Sequence, residues 1–233
     1  MTIIEFINYQ VNKKQPDTMN KEKIRQVYNI IMISCVAFAW LIMFFNTEDG
    51  ILTSRGFVNL KYYTTLSNIF AAAVAVIWLI YKIKKKDMRR LCVWKLMSSA
   101  AVGVTFMVVI GFLGPLYGYG NMYTGSNFFL HFLVPLMAMT EYIIFNESKL
   151  GLKDNLTVMF PPLIYGSVYL VNTIINGVKG NDIYGFLIWG YPIGILIFAV
   201  ICIVAFIIGL ALRLINSVIL KKDGGSSNEG SDI

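Results

Sequence analysis

Six apolar windows, each about the length that crosses a bilayer, dominate this chain: 28–45, 63–81, 95–116, 127–145, 155–175 and 191–219. A spanning helix needs about 20 mostly apolar residues. Inside hydrocarbon every backbone N–H and C=O must find its partner within the protein, so only helices and closed barrels survive there. A barrel strand would alternate apolar and polar residues over about ten positions, whereas these windows are apolar on every side. The pattern therefore predicts an all-α fold, a polytopic membrane protein built as a six-transmembrane-helix bundle. Composition agrees: 57% of the residues are hydrophobic, 14% are charged and mean hydropathy is +0.65, too apolar for a soluble domain of this length.

The windows divide the chain into three expected parts: a cytoplasmic segment over 1–26, a transmembrane domain over 27–220, and a tail over 221–233. The tail, "KKDGGSSNEGSDI", is rich in Gly, Ser and acidic residues, cannot bury a core and is expected to be disordered. Residues 1–26 show no basic stretch ahead of a long apolar run, so no cleavable signal is expected and the first helix should act as its own insertion signal.

Charge sets the expected sidedness. With the N-terminus inside, only Arg55, Lys61 and Lys179 of the 20 Lys and Arg residues fall on the outer side, which places both termini in the cytoplasm of a cell-membrane protein. The net charge of +7 is then a topogenic charge facing anionic headgroups. The run "KIKKKDMRR" needs no nucleic acid to explain it. Membrane lipids are the expected neighbours, and no particular protein partner is indicated.

Cofactors are not expected. Cys35, Cys92 and Cys202 are isolated and read as buried reduced thiols. One histidine, scattered cysteines and no acidic cluster leave little to hold a metal, and a glycine-rich phosphate cradle is lacking. Small residues should instead pack the bundle, because lipid-solvated helices associate through close backbone approach. Such faces are "AAAVA" from Ala71, Gly103 to Met107, Gly111 to Pro115, and "GYPIG" from Gly190. Pro135, Pro161 and Pro162 are expected to kink or loosen the fourth and fifth helices.

Ionisable groups inside a membrane are costly and are functional candidates by default. Lys95 and Arg213 lie near the inner ends of their windows and are expected to snorkel. His131 and Glu141 remain, both in the fourth window. Glu141 lies about 15 Å nearer the cytoplasm at ~1.5 Å per residue and reads as an interfacial carboxylate bonded to a neighbouring helix. His131, the one histidine of the chain, sits near the outer end. Its plain role is a neutral imidazole bonded to a serine or carbonyl of the next helix.

A second polar group shares its level. Thr64 opens the second window, within roughly 5 Å of the depth of His131. An imidazole and a hydroxyl are the minimum for acyl transfer, with histidine taking the proton while oxygen attacks carbon. Thr64, Ser67 and Asn68 share one helix face, and Thr65 points elsewhere. The Asn68 amide can donate to a developing oxyanion or make an ordinary interhelical bond. No carboxylate lies inside a window at this level, since Glu48, Asp49 and Asp182 fall in loops, so a carboxylate-oriented triad is not expected. Tyr165, Tyr169 and Asn172 in the fifth window could orient the imidazole instead, or serve as packing and interfacial belt residues.

The segment "KYYTTLSN", followed about sixty residues later by "NFFLHFLVP" and then by "FPPLIYGSVYL" and "WGYP", resembles the androgen-induced-gene family of six-helix integral-membrane proteins and its bacterial relatives. The resemblance covers 57–192. It implies an intramembrane threonine hydrolase acting on fatty acid esters of hydroxy fatty acids, with the family's K-Y-x-T threonine falling on Thr64 and its helix-four histidine on His131. "TTLSN" departs from the more apolar residues of the animal hydrolases, so the substrate is not carried over with the site. The other class the residues allow is a non-enzymatic membrane protein, a small-solute transporter or a structural subunit. In its favour stands the break at Pro161 and Pro162; against it, no deep ionisable pathway crosses the windows.

Overall fold

The computed structural model describes the backbone of residues 3–45, 54–84 and 86–225, and the side chains of 20–45, 56–84 and 86–220. Six helices carry the chain: α1 (Ile3–Phe44), α2 (Tyr63–Ile83), α3 (Arg89–Tyr117), α4 (Ser126–Phe145), α5 (Leu152–Asn176) and α6 (Tyr191–Gly225). All six are long and apolar enough to cross a membrane, and no β-strand forms among the described residues. The chain is a multi-pass, all-α membrane protein. Two boundaries move. α1 already runs through the expected N-terminal segment, with its apolar span beginning at Asn20, and α6 continues to Gly225, into the expected tail. The remaining tail, 226–233, lies outside the described residues.

α3 is the central helix, touching α2, α4, α5 and α6. That position explains its run of small and β-branched residues: 98–105 are all buried, as a helix surrounded by others requires. A Cβ on Gly103 would stand 2.9 Å from Ile208 and 3.3 Å from Met139, so this glycine lets α6 and α4 close on α3. Ala71 and Ala75 of α2 do the same against Met32, Val102 and Val134. Gly111 does not: it is exposed and a Cβ there would meet nothing within 4 Å. In "GYPIG", Gly194 packs on Leu187, while Gly190 has φ +87° and turns the chain into α6.

The prolines act through the turns ahead of them. α3 and α4 each contain one π-turn, Val109–Leu113 and Phe129–Leu133, and each is centred four residues before a proline, Pro115 and Pro135. Proline supplies no N–H to the carbonyl four residues back and its ring crowds that carbonyl, so the helix widens to i→i+5 bonds: Gly114 N to Val109 O and Val134 N to Phe129 O. In α5 the turn before Pro161 and Pro162 tightens into a 3-10 turn, Thr157–Met159. The expected loosening therefore holds for Pro135 in α4, whereas at Pro161 and Pro162 the α5 turn tightens instead.

Charges are paired at the helix ends remote from His131. Glu141 Oε1 accepts from Arg25 Nε at 2.7 Å, from Asn29 Nδ2 at 3.2 Å and from Lys95 Nζ at 3.2 Å. Lys95 also donates to Asn29 Oδ1. Arg25 lies 4.6 Å over the Trp78 ring, so one carboxylate gathers groups from α1, α2, α3 and α4. Glu141 therefore bonds to its neighbours as expected, but Lys95 does not snorkel: it is 2% exposed. A buried ammonium with a carboxylate at hand is better held there than uncompensated in hydrocarbon. Arg213 likewise turns inward, its Nε and Nη2 donating to the Leu150 carbonyl at 3.2 and 2.7 Å. Cys92 and Cys202 are buried, Cys35 is half-buried, and all three are free thiols.

Candidate functional site

The start of α2 is built by residues far away in sequence. A helix leaves its first N–H groups without intrahelical acceptors, and here Tyr63 N donates to Tyr184 Oη at 3.0 Å. The Tyr165 hydroxyl of α5 donates to the Lys61 carbonyl just before the helix, at 2.7 Å. Asp182 in turn fastens the segment after α5. It accepts from the Tyr169 hydroxyl at 2.5 Å and from the backbone N–H groups of Phe186 and Leu187 at 2.9 Å each. Burial pushes the Tyr184 phenol above its ordinary range, so it stays neutral.

On this scaffold Ser67 Oγ donates to the Thr64 carbonyl at 3.0 Å and lies 3.0 Å from Thr105 Oγ1 of α3. Asn68 Nδ2 donates to two carbonyls, Thr64 at 2.7 Å and Leu130 at 2.9 Å. One amide thus ties Thr64 to the residue preceding His131, and the common level of the two candidates follows from that tie. It also uses both amide hydrogens. Asn68 is therefore an interhelical tie rather than an oxyanion donor, with Oδ1 left unpartnered. The Thr64 hydroxyl has no hydrogen bond among the described residues.

His131 sits at the centre of the α4 π-turn and is 7% exposed. Its Nδ1 is 2.8 Å from the carbonyl oxygen of Met122, in the short helical turn Tyr119–Met122 that precedes α4. A carbonyl can only accept, so in the neutral ring Nδ1 carries the hydrogen and Nε2 carries the basic lone pair. π-turns recur where a helix must present a side chain at an angle the regular ladder does not offer.

The expected orienting residues are engaged elsewhere. Tyr165 bonds Lys61, Tyr169 bonds Asp182, and Asn172 Nδ2 reaches Asn181 Oδ1 at 3.4 Å. None of the three holds the imidazole; a backbone carbonyl does. Instead Ser67, Tyr165, Tyr169 and Asn172 line one cleft of about 750 Å3 between α2 and α5, whose wall includes the exposed side chains of Leu66, Ile164 and Val168. Thr64 lines a smaller space of about 40 Å3 with Thr105, Tyr165 and Tyr184. His131 lines neither.

Three site groups escaped the sequence. The Met122 carbonyl carries no side-chain signature at all. Thr105 had one, a hydroxyl within an apolar window, and Asp182 was set aside as a loop acid. No protein-family model, curated protein or solved structure matches the chain, so the motif resemblance does not become a family assignment.

Proposed function

We propose that this protein is an intramembrane lipid-ester hydrolase with Thr64 as nucleophile and His131 as general base and then general acid. The observation that carries the reading is the His131 Nδ1 bond to the Met122 carbonyl, which leaves Nε2 free to take a proton. The Thr64 hydroxyl, which has no hydrogen bond among the described residues and whose backbone carbonyl Asn68 ties to that of Leu130, supplies the oxygen. The chemistry is ordinary acyl transfer. Nε2 accepts the Thr64 proton as Oγ1 bonds the acyl carbon, and the imidazolium returns the proton to the departing alkoxide. Water then cleaves the acyl-threonine by the same relay and releases the acid. Met122 orients the ring as a triad carboxylate would, but it brings a dipole in place of a charge and stabilises the imidazolium less.

The cleft between α2 and α5 suits an acyl chain admitted sideways from the lipid, past Leu66 and Ile164. The space beside Thr64, walled by Tyr165 in common with that cleft, suits the ester carbonyl. Long-chain acyl esters, among them fatty acid esters of hydroxy fatty acids, are the substrates that such a cleft would take.

A fluorophosphonate probe tests the assignment. The purified wild type should label, and Thr64→Ala and His131→Ala should abolish labelling and lower ester turnover by about a thousandfold or more. Labelling retained in Thr64→Ala moves the nucleophile to Ser67 or Thr124. A wild type that neither labels nor turns over esters, yet binds a small solute saturably, is a transporter and overturns the hydrolase.

A further inference from the structure

At the ends of α4 and α6 remote from His131, a separate cavity of about 310 Å3 opens among Tyr142, Lys149, Arg213, Asn216 and Ser217. Among the described residues its lining holds two cations and no carboxylate. Asp154, in the adjoining connection, already accepts from Gly151 N at 2.7 Å. The Asn216 wall is locked, with Nδ2 donating to the Ile143 and Asn146 carbonyls at 2.9 Å each and Oδ1 accepting from Asn146 at 2.9 Å.

The other donors lack acceptors. Arg213 uses Nε and Nη2 on Leu150, which fixes the guanidinium plane, while Nη1 is buried without a partner. Neither Lys149 nor the Tyr142 hydroxyl has an acceptor among the described residues. A fixed guanidinium, an ammonium at the rim and a phenol ask for one kind of guest, an oxyanion with several acceptor oxygens, and phosphate matches the guanidinium geometry. On α6 beside them, Leu214 and Val218 are 58% and 66% exposed, a surface for hydrocarbon.

We propose that this cavity binds the phosphate of an anionic phospholipid headgroup, whose acyl chains lie along the outer face of α6. Basic pockets between spanning helices at the membrane edge are built for such headgroups. A zwitterionic lipid brings the same phosphate but also sets a cation beside Arg213 and Lys149, so the site discriminates by charge. This site is independent of the hydrolase reading.

Native mass spectrometry of the full chain in detergent, titrated with dioleoyl phosphatidylglycerol or dioleoyl phosphatidylcholine, reads the proposal directly. Phosphatidylglycerol should bind about tenfold tighter, and Arg213→Gln and Lys149→Glu should each weaken it by about tenfold or more. Because Arg213 also holds the Leu150 carbonyl, Ser217→Trp separates binding from folding: it leaves Arg213 in place, fills the cavity and should displace the lipid equally. Equal retention of the two lipids, or unchanged phosphatidylglycerol binding in Lys149→Glu and Ser217→Trp, overturns the site. Glycerol 3-phosphate binding as tightly as phosphatidylglycerol overturns the lipid assignment in favour of a soluble phosphate.

Discussion

Glu141 ties three other helices together, because buried Lys95 and half-buried Arg25 both depend on a single oxygen. Oε1 receives Arg25, Asn29 and Lys95, while Oε2 has no partner. Removing one side of a buried ion pair leaves the other charge uncompensated, typically at about 3–5 kcal/mol. Glu141→Gln should therefore lower stability by an amount in that range, read as Tm of the purified protein. Lys95→Met should cost much less, since Glu141 keeps Arg25 and Asn29 while an ammonium leaves the interior. Equal losses in the two variants would mean that Lys95 carries the cluster. Asn68→Leu is the corresponding test near the candidate site. It strips a donor from the Leu130 carbonyl at a cost of about 1–3 kcal/mol, and turnover should fall further than that loss of folded protein explains.

The two π-turns are the feature of the helices with most consequence for the site. Restoring an N–H with Pro135→Ala offers the His131 carbonyl the i→i+4 donor that proline withholds and lets the turn close to regular α-helix. Closing it removes one residue's worth of rotation, about 100°, between His131 and the rest of α4. Ester turnover should then fall by about tenfold or more with Tm unchanged or raised, since an interior proline is itself unfavourable. Full activity in Pro135→Ala would disconnect the π-turn from His131. The proline is visible in the sequence, but its outcome is not. A proline four residues after a carbonyl permits a kink, a wide turn or a tight one, and α4 and α5 took different options.

For the whole molecule, an even number of spans predicts that the start of α1 and the end of α6 share one side, and the distribution of Lys and Arg predicts that this side is cytoplasmic. With Cys35, Cys92 and Cys202 replaced by Ala, a cysteine at Thr124 should react with an impermeant maleimide added to intact cells. One at Lys149 should react only after the membrane is opened. The reverse pattern would invert the protein, placing the His131 end in the cytoplasm and the Arg213 cavity outside.

The apolar windows determined the six spans and the all-α class without help from tertiary contacts, because crossing a bilayer depends on length and composition, which are local and additive along the chain. Depth was legible too, at ~1.5 Å per residue, and so Thr64 and His131 were placed at one level from their distance to the window ends. Partners were not. That Lys95 finds Glu141, that a carbonyl holds His131, and that Tyr165, Tyr169 and Asn172 wall a cleft away from the imidazole depend on the rotation of each helix about its own axis. Contacts such as Gly103 against Ile208 and Gly166 against Phe198 set that rotation. It is a property of helices packed together, which spacing along any one of them does not contain.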